Sequence, residues 1–142
     1  MSRAGLFVAA CEAELQALKP GNVHVFADGH GMTVEDFRRS AAAAAPALAD
    51  SALGIGARIL AAVEATRAIV GQNTNLGILL LCAPLLKAAE HAGPLGRELR
   101  RVLQGLDLAD ARAAYVAIRL AAPAGLGEVP EADIGSEPEI TL

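Results

Sequence analysis

The sequence predicts an all-α protein: a compact multi-helix bundle with functional loops between the helices. Alanine and leucine dominate a chain that is 54% hydrophobic yet holds only three phenylalanines, one tyrosine and no tryptophan. Side chains of that kind favour helices that pack closely. Apolar residues also recur at the helical period through most of the chain, in stretches bounded by helix start and stop residues. A length of 142 residues suits a single domain, residues 1–142, with an irregular connecting or tail segment at 121–142.

The first helix is expected from about Arg3 to Leu18, because Leu6, Phe7, Ala10, Cys11, Leu15 and Leu18 share one broad face. Pro20 and Gly21 stop it. A loop then runs to Met32, in which Val23 to Phe26 offers at most a short extended segment. Thr33 can cap a second helix, with Glu35 and Asp36 at the positive end of its dipole. Val34, Phe37, Ala41, Ala44 and Leu48 form the inner stripe, and Pro46 is expected to kink or shorten this helix. A third helix spans Leu53 to Val70, with Ile55, Ile59, Val63 and Ile69 in register. The apolar run Leu76 to Leu86 reads as a buried core helix, since it is about half the roughly 20 residues that a bilayer crossing needs. Two shorter helices follow, Pro94 to Leu103 and Leu108 to Leu120, the second capped by Asp107. The remaining segment is rich in glycine, proline and acid and has no helical period.

A formal charge of −4 gives no support for binding nucleic acid or an acidic membrane. Cys11 and Cys82 lie among apolar residues and read as core packing in a reduced, cytoplasmic protein. Glu12 and Glu14 interrupt the apolar start before a signal-peptide core is complete.

Two loops resist explanation as scaffold. The stretch KPGNVHVFADGHGM, Lys19 to Met32, combines three glycines, two histidines, an aspartate, an asparagine and a lysine. Lys19, Gly21 and Asn22 resemble a phosphate grip, because glycine lets backbone N–H groups approach an anion and lysine supplies charge. His24, Asp28 and His30 leave three readings open: ligands of a divalent metal, substrate contacts, or ordinary loop polarity. The second loop, GQNTN at Gly71 to Asn75, sits between two apolar helices. It reads either as a capped helical turn or as an anion-ready helix start with Asn73, Thr74 and Asn75 beside it. Glu64, amid alanines of the third helix, is either a catalytic carboxylate or a surface glutamate. His91 reads as a charge partner for its helix C-terminus.

The order of four motifs narrows these readings. ELQALKPGNVHVFADGHGM, DFRRSA at Asp36 to Ala41, GQNTNLG at Gly71 to Gly77 and GLGEVPEADI at Gly125 to Ile134 together resemble the triphosphoribosyl-dephospho-CoA synthase family. The resemblance implies an all-helical pentosyltransferase that moves the triphosphoribosyl group of ATP to 3′-dephospho-CoA or a related acceptor and releases adenine. It implies Mg²⁺ with the ATP, Asp28 as a carboxylate that helps hold it, and no organic cofactor. Lys19, Pro20 and Gly21 match a PKPG-type element, His30 matches a loop histidine, and Asn73 and Thr74 match an NTH-type element. Asp28, His30 and Glu64 are the catalytic candidates; Lys19, Gly21, Asn22, His24, Asn73, Thr74 and Asn75 are the substrate and phosphate contacts. His24 stands where the best-known relatives carry an aspartate, and Asn75 and Leu76 stand where they carry His-Lys, which suggests a divergent branch and the N-terminal half of a longer family domain. The alternatives are a catalytically inactive or incomplete nucleotide-binding or interaction module, and a metal-dependent nucleotide hydrolase. A homo-oligomer is compatible with the sequence.

Overall fold

The computed structural model describes residues 1–18, 23–25, 31–123, 127 and 133–142. Among these residues it contains six helices: α1 Arg3–Gln16, α2 Val34–Ala49, α3 Ile55–Val70, α4 Leu76–Ala88, α5 Leu95–Gln104 and α6 Leu108–Ala121. The sole strand-like features are isolated bridge positions at His24 and Met32. The fold is all-α, as its composition and periodicity indicate.

Side-chain caps set several of the boundaries. The Ser2 hydroxyl accepts from Gly5 N–H at 3.1 Å and starts α1. Thr33 and Asp36 form a reciprocal capping box on α2: Asp36 N–H donates to Thr33 Oγ1 at 3.2 Å, and Thr33 N–H donates to Asp36 Oδ2 at 2.9 Å. Those bonds hold the Asp36 carboxyl below its usual pKa. Asp107 and Asp110 repeat the device on α6. Gly71 ends α3 in the left-handed region at φ 79°, which glycine adopts without steric cost.

Helix α3 is the centre of the bundle and packs most extensively against α2 and α6. The seams consist of small residues: Ala41, Ala44 and Ala45 on α2, Ala62 on α3, and Ala111, Ala114 and Ala117 on α6, all buried. Gly56 brings α3 closest to α6, and its N–H donates to Asp110 Oδ1 at 2.8 Å. Phe7, Leu15, Leu48, Ile59 and Leu79 fill the remaining core.

Several expectations need correction. Leu6, Leu18 and Ile69 are exposed, so the inner faces of α1 and α3 are narrower than the apolar pattern suggests. The α4 run is not buried all round: Leu79 and Ala83 are in the core, whereas Leu81 is 70% exposed and Leu85 is exposed beside it. Helix α2 continues through Pro46 to Ala49. The carbonyl that loses its partner there belongs to Ala42 on the exposed face, where water can satisfy it. His91 is exposed beyond the end of α4, and Lys87 is the basic residue in that helix's last turn.

One buried charge locks three helix ends together. Arg58 has no exposed surface. Its Nη1 donates to Leu48 O at 3.0 Å, its Nε donates to Leu53 O at 3.1 Å, and its Nη2 donates to Glu90. Lys87 Nζ also reaches Glu90, at 3.2 Å. Burial alone would raise the Glu90 pKa, but the bonds from Arg58 and Lys87 outweigh it and leave the carboxyl below its ordinary value.

Candidate functional site

The described part of the first loop and the GQNTN loop meet at one cleft of about 300 Å³. Val23 and Met32 contribute from the first loop, and Asn73, Thr74 and Asn75 from the second. Glu14 of α1, Phe37 of α2, and Leu76, Gly77 and Ile78 at the start of α4 complete the lining. The cleft therefore has an apolar wall and a polar wall, the arrangement expected of a small-molecule site. The first loop is anchored to α1 by Val25 N–H, which donates to Leu15 O at 3.0 Å.

The polar wall is held from behind. Thr74 Oγ1 donates to Ser40 Oγ at 2.5 Å, and Ser40 Oγ donates to Asp36 O at 2.7 Å. The Asn75 amide pairs with the buried Thr66 hydroxyl of α3, with Nδ2 at 3.3 Å. Asn73 Oδ1 accepts from Leu76 N–H at 3.1 Å and so satisfies the first N–H of α4, from two residues ahead of the N-cap position Asn75. The capped-turn reading of GQNTN is what these bonds describe, and Asn73, Thr74 and Asn75 also line the cleft.

The other candidates divide in two. His24 is buried next to Val23, Glu64 is exposed on α3, and neither is among the described lining residues. Lys19, Gly21, Asn22, Asp28 and His30 lie outside the described residues. No lysine or arginine is among the described lining residues. Among the described residues no group of three His, Cys, Asp or Glu side chains is placed to hold a metal.

Glu14 was missed by sequence reasoning. A signal existed: it opens the ELQALKPG motif and lies three residues beyond the buried Cys11, which turns it inward on α1. Cys11 itself is no nucleophile near neutral pH, because burial, with Cys82 nearby, pushes its thiol up to about 11.

A second cleft of about 260 Å³ lies at the opposite end of α4, with Lys87, His91 and Arg101 on it. Its charges are already engaged: Lys87 by Glu90 at 3.2 Å and Arg101 by Glu98 at 3.7 Å. The Asp110 carboxylate there is bonded to Gly56 N–H. No described helix is long and apolar enough to cross a membrane.

A family model described as CitG, ATP:dephospho-CoA triphosphoribosyl transferase, matches residues 1–142. No curated protein and no solved structure matches the chain.

Proposed function

The chain belongs to the ATP:dephospho-CoA triphosphoribosyl transferase family, and on that premise we propose that it transfers the triphosphoribosyl group of ATP to 3′-dephospho-CoA or a related acceptor, with release of adenine. The observation that carries the proposal is the convergence of the two loops on one cleft. A single nucleotide lying there touches both the first-loop segment and Asn73 to Asn75.

In this reading the apolar wall of Val23, Met32, Phe37 and Ile78 takes the purine, and the polar wall takes the ribose and phosphates. The triphosphate needs cationic and N–H donors, which Lys19 and Gly21 supply from the first loop. Mg²⁺ arriving with ATP neutralises phosphate charge when bound; the Glu14 carboxylate lining the cleft and Asp28 in the loop are the hard oxygen donors that suit it. The reaction breaks the bond between the anomeric carbon and adenine and forms one from that carbon to a hydroxyl oxygen of the acceptor. The acceptor's proton passes to a base, and adenine leaves with the bonding electron pair and takes up a proton on its ring nitrogen, which balances the one the acceptor gives up. Departure of adenine leaves positive charge at the anomeric carbon, which a nearby carboxylate stabilises, and His30 is the base we assign. Glu64 has a weaker claim, because it is exposed and is not among the described lining residues.

The test incubates the chain with ATP and 3′-dephospho-CoA and follows free adenine and the mass of the acceptor. Adenine release with a matching mass gain supports the transferase. ATP binding without adenine supports a nucleotide-binding module, and free triphosphoribose or phosphate supports a hydrolase.

A further inference from the structure

The hydroxyl chain behind the cleft has a fixed direction. A carbonyl oxygen can only accept, so Ser40 must give its single proton to Asp36 O, at 2.7 Å. Ser40 Oγ can then only accept from Thr74 Oγ1, 2.5 Å away, and Thr74 has no second proton to offer. Its remaining hydrogen-bonding capacity is that of an acceptor, and Thr74 lines the cleft. The neighbouring residue has the opposite polarity. Asn73 Oδ1 is committed to Leu76 N–H at 3.1 Å, which leaves its amide N–H₂ as the donating end on the same cleft.

Phosphate oxygens are acceptors and would repel an acceptor, so Thr74 does not suit the phosphate role that its sequence suggests. A sugar hydroxyl, which can donate, is the complementary group. We propose that Thr74 accepts a hydrogen bond from a ribose hydroxyl of the bound nucleotide while Asn73 donates to phosphate, and that Ser40 is the positioning residue that sets this polarity.

The placement of Ser40 fits such a role. It has no exposed surface and sits beside the run Ala41 to Ala45, where another alanine would satisfy packing and have the better helix propensity. Asp36 caps α2 with its side chain and anchors Ser40 with its carbonyl, and Arg39 Nη2 donates to Ile69 O at 3.0 Å just before the GQNTN loop. The DFRRSA motif thereby fixes both the position of the second loop and the polarity of its threonine.

This inference rests on the nucleotide reading of the cleft, and the experiment separates the two. Dissociation constants of ATP, 2′-deoxy-ATP and 3′-deoxy-ATP are measured for the wild type, Ser40→Ala, Thr74→Val and Thr74→Ser. The wild type should bind ATP about tenfold tighter than one of the two deoxynucleotides, the value of one well-placed hydrogen bond. Thr74→Val, which removes the acceptor and spares the helix interior, should bring that ratio to within about twofold of unity, and Thr74→Ser should retain it; Ser40→Ala frees the Thr74 proton, so that the hydroxyl can donate as well as accept and the ratio should fall part of the way. A merely structural role for Ser40 would weaken all three ligands alike. Failure of ATP to bind would overturn the nucleotide reading and this inference with it. Equal binding of all three nucleotides by the wild type, or undiminished discrimination in Ser40→Ala and Thr74→Val, would overturn this inference alone.

Discussion

Replacing Gly56 by alanine sets two effects of opposite sign against each other. Alanine is the better helix former, by up to about 1 kcal/mol, the value for a helix interior, whereas Gly56 lies in the first turn of α3. The added Cβ, however, would lie 2.4 Å from Asp110 O and 2.6 Å from Asp110 Cα, backbone atoms of α6 with no rotamer to move. That is about 1 Å inside ordinary contact, so α3 and α6 would have to separate. Their shared seam of Ala62, Ala111, Ala114 and Ala117 has no exposed surface to yield. Overpacking of a tight core costs about 1–3 kcal/mol. Stretching the 2.8 Å bond from Gly56 N–H to the Asp110 carboxylate forfeits about 1.5–3 kcal/mol more. The net expectation is a destabilisation of about 2–5 kcal/mol, or several degrees to about 20 °C in Tm. Gly96 provides the control, because a Cβ in α5 there meets nothing within 4 Å. Gly96→Ala should gain up to about 1 kcal/mol in the same urea titration. A neutral or stabilising Gly56→Ala would refute the close approach of α3 and α6.

Arg58→Met leaves Leu48 O and Leu53 O without their donor and Glu90 with Lys87 and Arg3 as its remaining cations, and should cost about 3–5 kcal/mol in chemical unfolding; a loss under about 1 kcal/mol would mean that the buried guanidinium is not the lock described. Glu12, bonded by Arg38 at 2.9 and 2.8 Å, has its carboxyl lowered to about 2, and Glu90 is lowered as well, so both contribute stability above the ordinary glutamate pKa that disappears as pH falls through their folded values. The urea midpoint should therefore drop between about pH 5 and pH 2, and less steeply in Glu12→Gln; an identical slope in that variant would contradict the Arg38 pairing. Asn73→Ala removes the acceptor for the first α4 N–H and a cleft donor together, so Tm should fall by about 2–4 °C while ATP affinity falls at least about tenfold; a larger thermal loss with unchanged affinity would make Asn73 purely structural.

Helix positions were legible because their start signals are local chemistry: Thr33 with Asp36 and Asp107 with Asp110 cap α2 and α6 through bonds that span three residues. Which face turns inward was less legible, because a helical pattern records polarity and not partners. Arg58 lies three residues after Ile55 and four before Ala62, squarely on the inner face, yet its charge argued for the surface. Only the Leu48 carbonyl at the end of α2, the Leu53 carbonyl before α3 and the Glu90 carboxylate, brought in by tertiary packing, make that burial tolerable. Ile69 failed in the opposite sense: Thr66 holds the inner position because it bonds Asn75, and Ile69 is left exposed. At the cleft, the GQNTN residues stood out through their composition, whereas Ser40 and Thr66 did not. Their roles depend on contacts with residues 34 and 9 positions away, across helices that a single sequence does not place together.

The central claim is that the two unusual loops form one nucleotide cleft, and hydrogen–deuterium exchange with and without ATP tests it most directly. Protection is expected together in peptides covering residues 19–32 and 71–78, with α5 and the start of α6 unchanged. Protection of one loop alone, or protection centred on the Lys87, His91 and Arg101 cleft, would contradict it.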